Sequence, residues 1–251
     1  MKRTEDCFST KYSTTSAFLI ALVSVVLAGQ ANTLANVTGE FSHTDIGNPP
    51  DVDDADAAYL GPGSDSSGNE GHLYGDRPAM GQTFTTGSNA GGYELNAVTY
   101  RSGTFGLLSG GPALFSIQVG TISGNALSPI MDPVEVIEES DGQHLGINRH
   151  LTVSFDSPIT LIPNALYGID WYGGTSVYGI VLQQTNNNDF SNGQAYTSGS
   201  LGNPDNNNLT MLDFDRAFHF DIVGVPEPAT ITLCLAVLTS LGLWRRPHMA
   251  A

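Results

Sequence analysis

The sequence predicts an all-β fold, an antiparallel β-sandwich of jelly-roll type, for the central part of this chain. Short runs of β-branched and aromatic residues recur from Gly81 onward, with Gly, Asn, Pro and Asp between them. Two runs, Leu151–Phe155 and Phe218–Ile222, alternate apolar and polar residues, which is typical of half-buried strands. No central segment carries a sustained apolar stripe of helical period. These observations favour short strands joined by turns.

Nine strands are predicted within a folded domain that spans residues 80–224. The stretch before it, residues 36–79, is predicted to be a Gly/Pro/Asp-rich loop, because Asn48-Pro49-Pro50 and Gly61-Pro62-Gly63 are turn formers with little apolar periodicity. In chain order, the predicted strands are Gln82–Thr85, Tyr93–Arg101, Ala113–Ile122, Val134–Glu138, Leu151–Phe155, Leu166–Tyr172, Tyr178–Gln183, Gln194–Thr197 and Ala217–Val223.

Charge and cysteine content exclude several classes of function. The 251-residue chain has a net charge of −16. Residues 36–225 contain 22 acidic residues against four arginines and no lysine. Such a surface repels phosphate backbones, so we expect no nucleic-acid partner. The two cysteines, Cys7 and Cys234, lie in the terminal segments, so the central domain has neither an internal disulfide nor a cysteine nucleophile.

The first 35 residues read as a secretory signal peptide. Lys2 and Arg3 form a basic start, and about 12 apolar residues follow from Ala17 to Ala28. That length suits the helical core of a signal peptide and is short for a membrane span. Small residues at Ala31 and Ala35 supply two candidate cleavage sites for signal peptidase. We therefore expect the central domain to be exported.

The chain ends in a second apolar segment with unusual flanks. Pro226-Glu227-Pro228 precede an apolar run from Ile231 to Trp244, which can form a helix of roughly 22 Å. Arg245 and Arg246 follow, and the positive-inside rule keeps such a pair on the cytoplasmic side. The helix is marginal for a bilayer of about 30 Å, so we expect transient inner-membrane retention. Residues 247–251 form a short tail.

This ending, residues 225–246, closely resembles the PEP-CTERM sorting signal of Gram-negative bacteria. The resemblance rests on the Pro226-Glu227-Pro228 motif, the apolar helix and the Arg245-Arg246 pair. It implies recognition by an exosortase, with processing near the motif, and an association with exopolysaccharide-producing bacteria. The stretch from Gly81-Gln82-Thr83-Phe84-Thr85 onward also looks like the β-sandwich ectodomains found upstream of such signals. The basic cluster is shorter than the family pattern, and a tail follows it.

Two groups of central residues are candidate binding sites. Four carboxylates on one loop suggest structural Ca²⁺, which takes several oxygen ligands, although the spacing is not that of an EF-hand; a solvated acidic loop is the alternative. They are Asp51, Asp53, Asp54 and Asp56. Aromatic rings beside a carboxylate suggest carbohydrate contact by stacking; core packing is the alternative. They are Asp170, Trp171, Tyr172 and Tyr178.

The sequence carries no recognisable catalytic set. The ectodomain histidines, which include His150 and His219, show no metal-binding spacing and are expected at the surface. Glu135 and Glu139 would stand about 13 Å apart along one strand face, too far for a glycosidase pair. We therefore predict a non-catalytic, exported surface or extracellular-matrix protein without a cofactor other than candidate calcium. A carbohydrate-binding module and a secreted glycan-active hydrolase are the alternatives.

Overall fold

The computed structural model describes residues 34–45, 47–60, 70–73, 79–102, 113–138, 149–173, 180–184, 190–199 and 205–227. These ranges contain fourteen strands and no helix. The strands are β1 (Gly39–Asp45), β2 (Ala57–Tyr59), β3 (Glu70–Leu73), β4 (Ala79–Thr85), β5 (Tyr93–Arg101), β6 (Ala113–Ser123), β7 (Ala126–Pro129), β8 (Val134–Glu138), β9 (Arg149–Leu161), β10 (Leu166–Gly173), β11 (Ile180–Gln183), β12 (Ala195–Ser198), β13 (Leu209–Met211) and β14 (Phe218–Gly224).

The strands form two large antiparallel sheets. The first has the order β1-β9-β5-β14-β2. The second has the order β13-β12-β4-β10-β6-β7, and β8 also pairs with β6. Strands β3 and β11 form a separate two-stranded sheet. Consecutive strands often lie in different sheets, so most contacts join residues that are distant in the sequence.

The two large sheets share one apolar core. Leu95 and Phe220 come from the first sheet, Phe115 and Trp171 from the second, and all four are buried in the same cluster. The Tyr100 ring meets Trp171 edge-on, with 5.3 Å between ring centroids. Burying a large apolar side chain contributes about 1.5–3 kcal/mol, so these rings are a main source of stability. Because side chains alternate between the two faces of a strand, these rings all point to the face that the other sheet covers.

A smaller apolar cluster covers the other face of the second sheet. It contains Tyr196, Ile122, Leu127 and Leu209. The Tyr196 ring lies directly over Gly81 of β4, where a Cβ atom would come within 2.1 Å of the ring. Gly81 is therefore a glycine because a neighbouring ring occupies the space of its side chain.

The prediction of an all-β fold is confirmed, and each of the nine predicted strands overlaps an observed one. The prediction that residues 36–79 form only loop is wrong, since β1, β2 and β3 lie there. Strand β1 carries few apolar residues because it lies at the edge of its sheet and is mostly exposed, and β2 is only three residues long. The short strands β7 and β13 were also not predicted. The predicted signal helix and C-terminal helix lie outside the described residues.

Candidate functional site

The predicted carbohydrate platform is not formed around Trp171. The Trp171 ring is fully buried and stacks on Phe115, with 4.9 Å between ring centroids. Asp170 points to the opposite face of the sheet, as the alternation along a strand requires, and it is also fully buried. Tyr172 is half-buried, and Tyr178 lies outside the described residues. The interpretation of Trp171 as an exposed stacking ring is therefore wrong, because the ring fills the core.

Asp170 is the centre of a buried polar cluster. Its Oδ2 atom accepts a hydrogen bond from Gln118 Nε2 at 2.8 Å, and Ser198 Oγ lies 3.5 Å away. The Gln118 amide also donates to Asn206 Oδ1 at 2.8 Å. Burial raises the pKa of Asp170 to about 6, while the hydrogen bonds from Gln118 and Ser198 and the charge of Arg216 act in the opposite direction. The carboxyl group therefore changes its charge between mildly acidic and neutral pH.

Arg216 is a second fully buried ionisable side chain. Its Nε atom donates to the Gly81 carbonyl at 3.2 Å, and Nη2 donates to the Tyr196 carbonyl at 3.4 Å. Its backbone amide donates to Gln82 Oε1 at 2.9 Å. Burial lowers the pKa of Arg216 to about 10, so the guanidinium stays charged at neutral pH. Because both Arg216 and Asp170 lie beneath the surface, we interpret the two clusters as parts of the scaffold.

The four aspartates predicted as calcium ligands do not act as one group. Asp51, Asp53 and Asp54 are exposed, whereas the Asp56 side chain is 4% exposed. Asp56 Oδ2 lies 2.8 Å from His219 Nε2. Within the described ranges, no three His, Cys, Asp or Glu side chains are close enough to hold a metal ion. Asp56 turns inward to His219 while the other three aspartates face solvent, and calcium binding by this loop stays a prediction.

Two histidines that were expected at the surface are buried. His150 is 3% exposed on β9, and His219 is 4% exposed on β14. His219 alternates with Phe218 and Phe220 along β14, so its side chain points to the opposite face from theirs. That face, however, is covered by the Asp56 segment, which lies 163 positions earlier. In the sequence, the burial of His219 is indicated only by its place between two aromatic residues, and this pattern does not identify Asp56 as its partner.

An open depression of about 450 Å³ lies on the second sheet. Strands β4 and β10 and the segment 190–194 before β12 form most of its wall. We call it the β4–β12 depression, and its main lining residues are Thr85, Leu166, Phe190, Asn192, Gln194 and Met211. None of the residues that line it is charged. Sequence reasoning missed this site because its residues come from four separate segments and carry no motif.

The chain leaves the first sheet at Val225, which two hydrogen bonds hold in place. The backbone amide of Val225 donates to the Gly92 carbonyl at 3.0 Å, and Asn89 Nδ2 donates to the Val225 carbonyl at 2.8 Å. Pro226 and Glu227 follow immediately and are exposed. The remaining residues of the predicted sorting motif, which are Pro228, Arg245 and Arg246, lie outside the described residues.

Comparisons with known proteins assign this chain to no family. A scan of protein-family models, a search of curated proteins and a search of solved structures each found no match to this chain. In the part of the chain that the structure describes, no helix has the length and apolar character that crossing a bilayer requires.

Proposed function

We propose that this chain is an exported, non-catalytic component of the bacterial cell surface or extracellular matrix. Signal peptidase removes the first 31 or 35 residues, and the C-terminal apolar segment holds the protein briefly in the inner membrane. An exosortase then recognises Pro226-Glu227-Pro228 and processes the chain near this motif. The final location is the cell envelope or an exopolysaccharide matrix. The order of the two terminal segments and the resemblance of residues 225–246 to a PEP-CTERM sorting signal support this route.

One observation carries the proposal: the last described strand, β14, ends at Gly224, and the hydrogen-bonded Val225 comes directly before the motif. Hydrogen bonds to Gly92 and Asn89 hold Val225, whereas Pro226 and Glu227 are exposed. A processing enzyme needs an accessible backbone on the cleaved side and a stable domain on the retained side. Cleavage near Pro226 would therefore release the two sheets without removing any of the fourteen described strands.

The strand order supports a jelly-roll β-sandwich as the exported module. The first sheet contains the run β2-β14-β5-β9, and the second contains β4-β10-β6-β8. With strands taken in chain order as β2, β4, β5, β6, β8, β9, β10 and β14, this is the eight-stranded pattern of two Greek keys. Strand β1 extends the first sheet, and β12 and β13 extend the second. We assign these as additions at the edges of the sandwich.

The route can be tested by expressing the full chain in a Gram-negative host with an exosortase. We expect mass spectrometry to find a product that begins after Ala31 or Ala35, ends close to Pro226 and has left the membrane fraction. A variant with Pro226, Glu227 and Pro228 all changed to Ala should keep its C-terminus and stay in the membrane. Pro247→Ala, which lies beyond the arginine pair, is the matched control and should be processed normally.

Two results would contradict the proposal. One is an intact chain in the cytosol with both ends uncut. The other is equal processing of the parent chain and of the triple-alanine variant, or equal processing in a matched strain that lacks the exosortase.

A further inference from the structure

The β4–β12 depression differs from the rest of the domain in its charge. The whole chain has a net charge of −16, yet the lining of the depression contains no charged residue. It combines apolar side chains, among them Leu166 and Met211, with hydroxyl and amide side chains, among them Thr85 and Asn192. A concave surface with a few polar groups on an apolar background is the usual form of a small-ligand site.

The segment that forms one wall of the depression is held rigidly on β4. Thr83 Oγ1 accepts a hydrogen bond from the Gln194 amide at 2.8 Å and donates to the Gln194 carbonyl at 3.1 Å. Gly193 packs so closely that a Cβ atom would lie 1.9 Å from the Thr83 carbonyl oxygen. The wall can therefore hold its polar groups in place before any ligand arrives, which reduces the entropic cost of binding.

A buried carboxylate fixes the start of the same segment. Asp215 is fully buried, and its Oδ2 atom accepts a hydrogen bond from the Phe190 amide at 2.7 Å. Its Oδ1 atom accepts another from Gln82 Nε2 at 3.0 Å. The Phe190 ring packs edge-on against Phe218 of the core, with 5.1 Å between centroids. Buried polar groups of the scaffold thus support the shape of the depression.

Several polar side chains in the depression are free to bind. Thr85 and Asn192 are exposed, Gln194 is half-buried, and their side chains make no hydrogen bond with other described residues. Hydroxyl and amide groups can both donate and accept hydrogen bonds, which matches the dual character of sugar hydroxyls. Leu166, which is 36% exposed, and Met211 supply apolar contact for the C–H faces of a sugar ring.

We propose that the β4–β12 depression binds a neutral oligosaccharide. The lack of a cation in the lining gives a uronate or sulfated sugar no charge partner, and the acidic surface repels such polymers. A neutral glycan meets no such repulsion, and its hydroxyls match the free amides. This proposal concerns a different part of the molecule from the sorting motif, so either one can fail without the other.

Titration of the full chain, purified in mild detergent, tests the proposal. The probes are maltohexaose, cellohexaose and mannohexaose as neutral sugars, and an alginate hexamer as the anionic sugar, followed by isothermal calorimetry. We expect at least one neutral sugar to bind and alginate not to bind. Changing both Asn192 and Gln194 to Ala should weaken binding by at least about fivefold, the loss of two net hydrogen bonds. Thr85→Trp, which fills the depression, should abolish it.

Asn207→Ala is the matched control, because Asn207 is exposed on a loop and is not one of the residues that line the depression. It should bind as the parent chain does, and thermal unfolding should show that every variant is folded. The proposal is overturned if none of the three neutral sugars binds. It is also overturned if the folded Thr85→Trp and double-alanine variants bind as tightly as the control, or if alginate binds more tightly than every neutral sugar.

Discussion

The carboxylate of Asp56 and the imidazole of His219 form a buried pair, 2.8 Å apart, between segments 163 positions distant. Both side chains are at most 5% exposed. The other carboxylate oxygen of Asp56 accepts a hydrogen bond from the Ile222 amide at 2.7 Å. Asp56 thus attaches the acidic loop before β2 to β14 and covers the polar face of that strand.

Replacing Asp56 by Ala should lower the free energy of unfolding by about 2–4 kcal/mol, because His219 and the Ile222 amide both lose their buried partner. Asp54→Ala is the matched control. Asp54 belongs to the same loop and is exposed, so its change should stay within about 0.5 kcal/mol. Urea unfolding of both variants at neutral pH measures the difference. Equal stability of the two variants would contradict the role given to Asp56.

Asp170→Asn should change stability in a pH-dependent way. Burial raises the pKa of Asp170 from 3.8 to about 6, so the folded state favours the protonated carboxyl. The stability that protonation confers is fully present below about pH 4 and is lost as pH rises through 6. A shift of this size corresponds to about 3 kcal/mol. Asn mimics the protonated carboxyl in shape and charge.

We therefore expect Asp170→Asn to match the parent chain near pH 4 and to exceed its stability at pH 7 by up to about 3 kcal/mol. Denaturant unfolding of both proteins from about pH 4 to about pH 7 measures this difference. Subtracting the two free energies of unfolding at each pH removes the contribution of the other carboxylates, which both proteins share. Asp221→Asn, a half-buried carboxyl on β14, provides a comparison. If the parent chain instead gains stability relative to Asp170→Asn as pH rises, the predicted direction of the pH dependence is wrong.

Trp171→Ala should lower the free energy of unfolding by about 3–5 kcal/mol, because it leaves a cavity between Phe115 and Tyr100. Val223→Ala, a truncation at a residue that is 48% exposed, should cost less than about 1 kcal/mol. Chemical unfolding checks both. A Trp171→Ala protein that unfolds like the parent chain would mean that the ring lies outside the core.

Gly193→Ala should displace the segment that forms the wall of the β4–β12 depression. The new Cβ atom would lie 1.9 Å from the Thr83 carbonyl oxygen, so the backbone has to move. We expect a loss of about 1–3 kcal/mol, the usual range for overpacking a tight contact. Gly47→Ala has open space around its Cβ position and should be near neutral. Thermal unfolding compares the two, and equal midpoints would argue against the close contact.

Much of the fold could be predicted because the central strands alternate strongly. Phe218 and Phe220 on β14, and Leu151 and Val153 on β9, are all buried, as their period of two requires. Strand β1 could not be predicted in this way. It lies at a sheet edge with mostly exposed side chains, so its place depends on backbone pairing with β9.

The candidate sites were harder to predict, because the residue types in a segment do not indicate which of their side chains are exposed. Trp171 and its neighbours have the residue types of a sugar platform, but β10 lies in the middle of its sheet, and the first sheet covers the Trp171 face. Asp56 has the chemistry of a calcium ligand, but its oxygens are taken by His219 and Ile222. The lining of the β4–β12 depression has no motif at all.

By itself, the sequence determined the class of fold, the nine main strands and the surplus of acidic groups, because local periodicity and composition control these properties. The tertiary structure alone decided which polar residues are buried, which carboxylate meets which histidine, and where a charge-free depression opens. The physical reason is that these features join residues far apart in the sequence, 52 positions for Gln118 and Asp170 and 163 for Asp56 and His219. The sequence around one residue therefore does not indicate which distant residue it contacts.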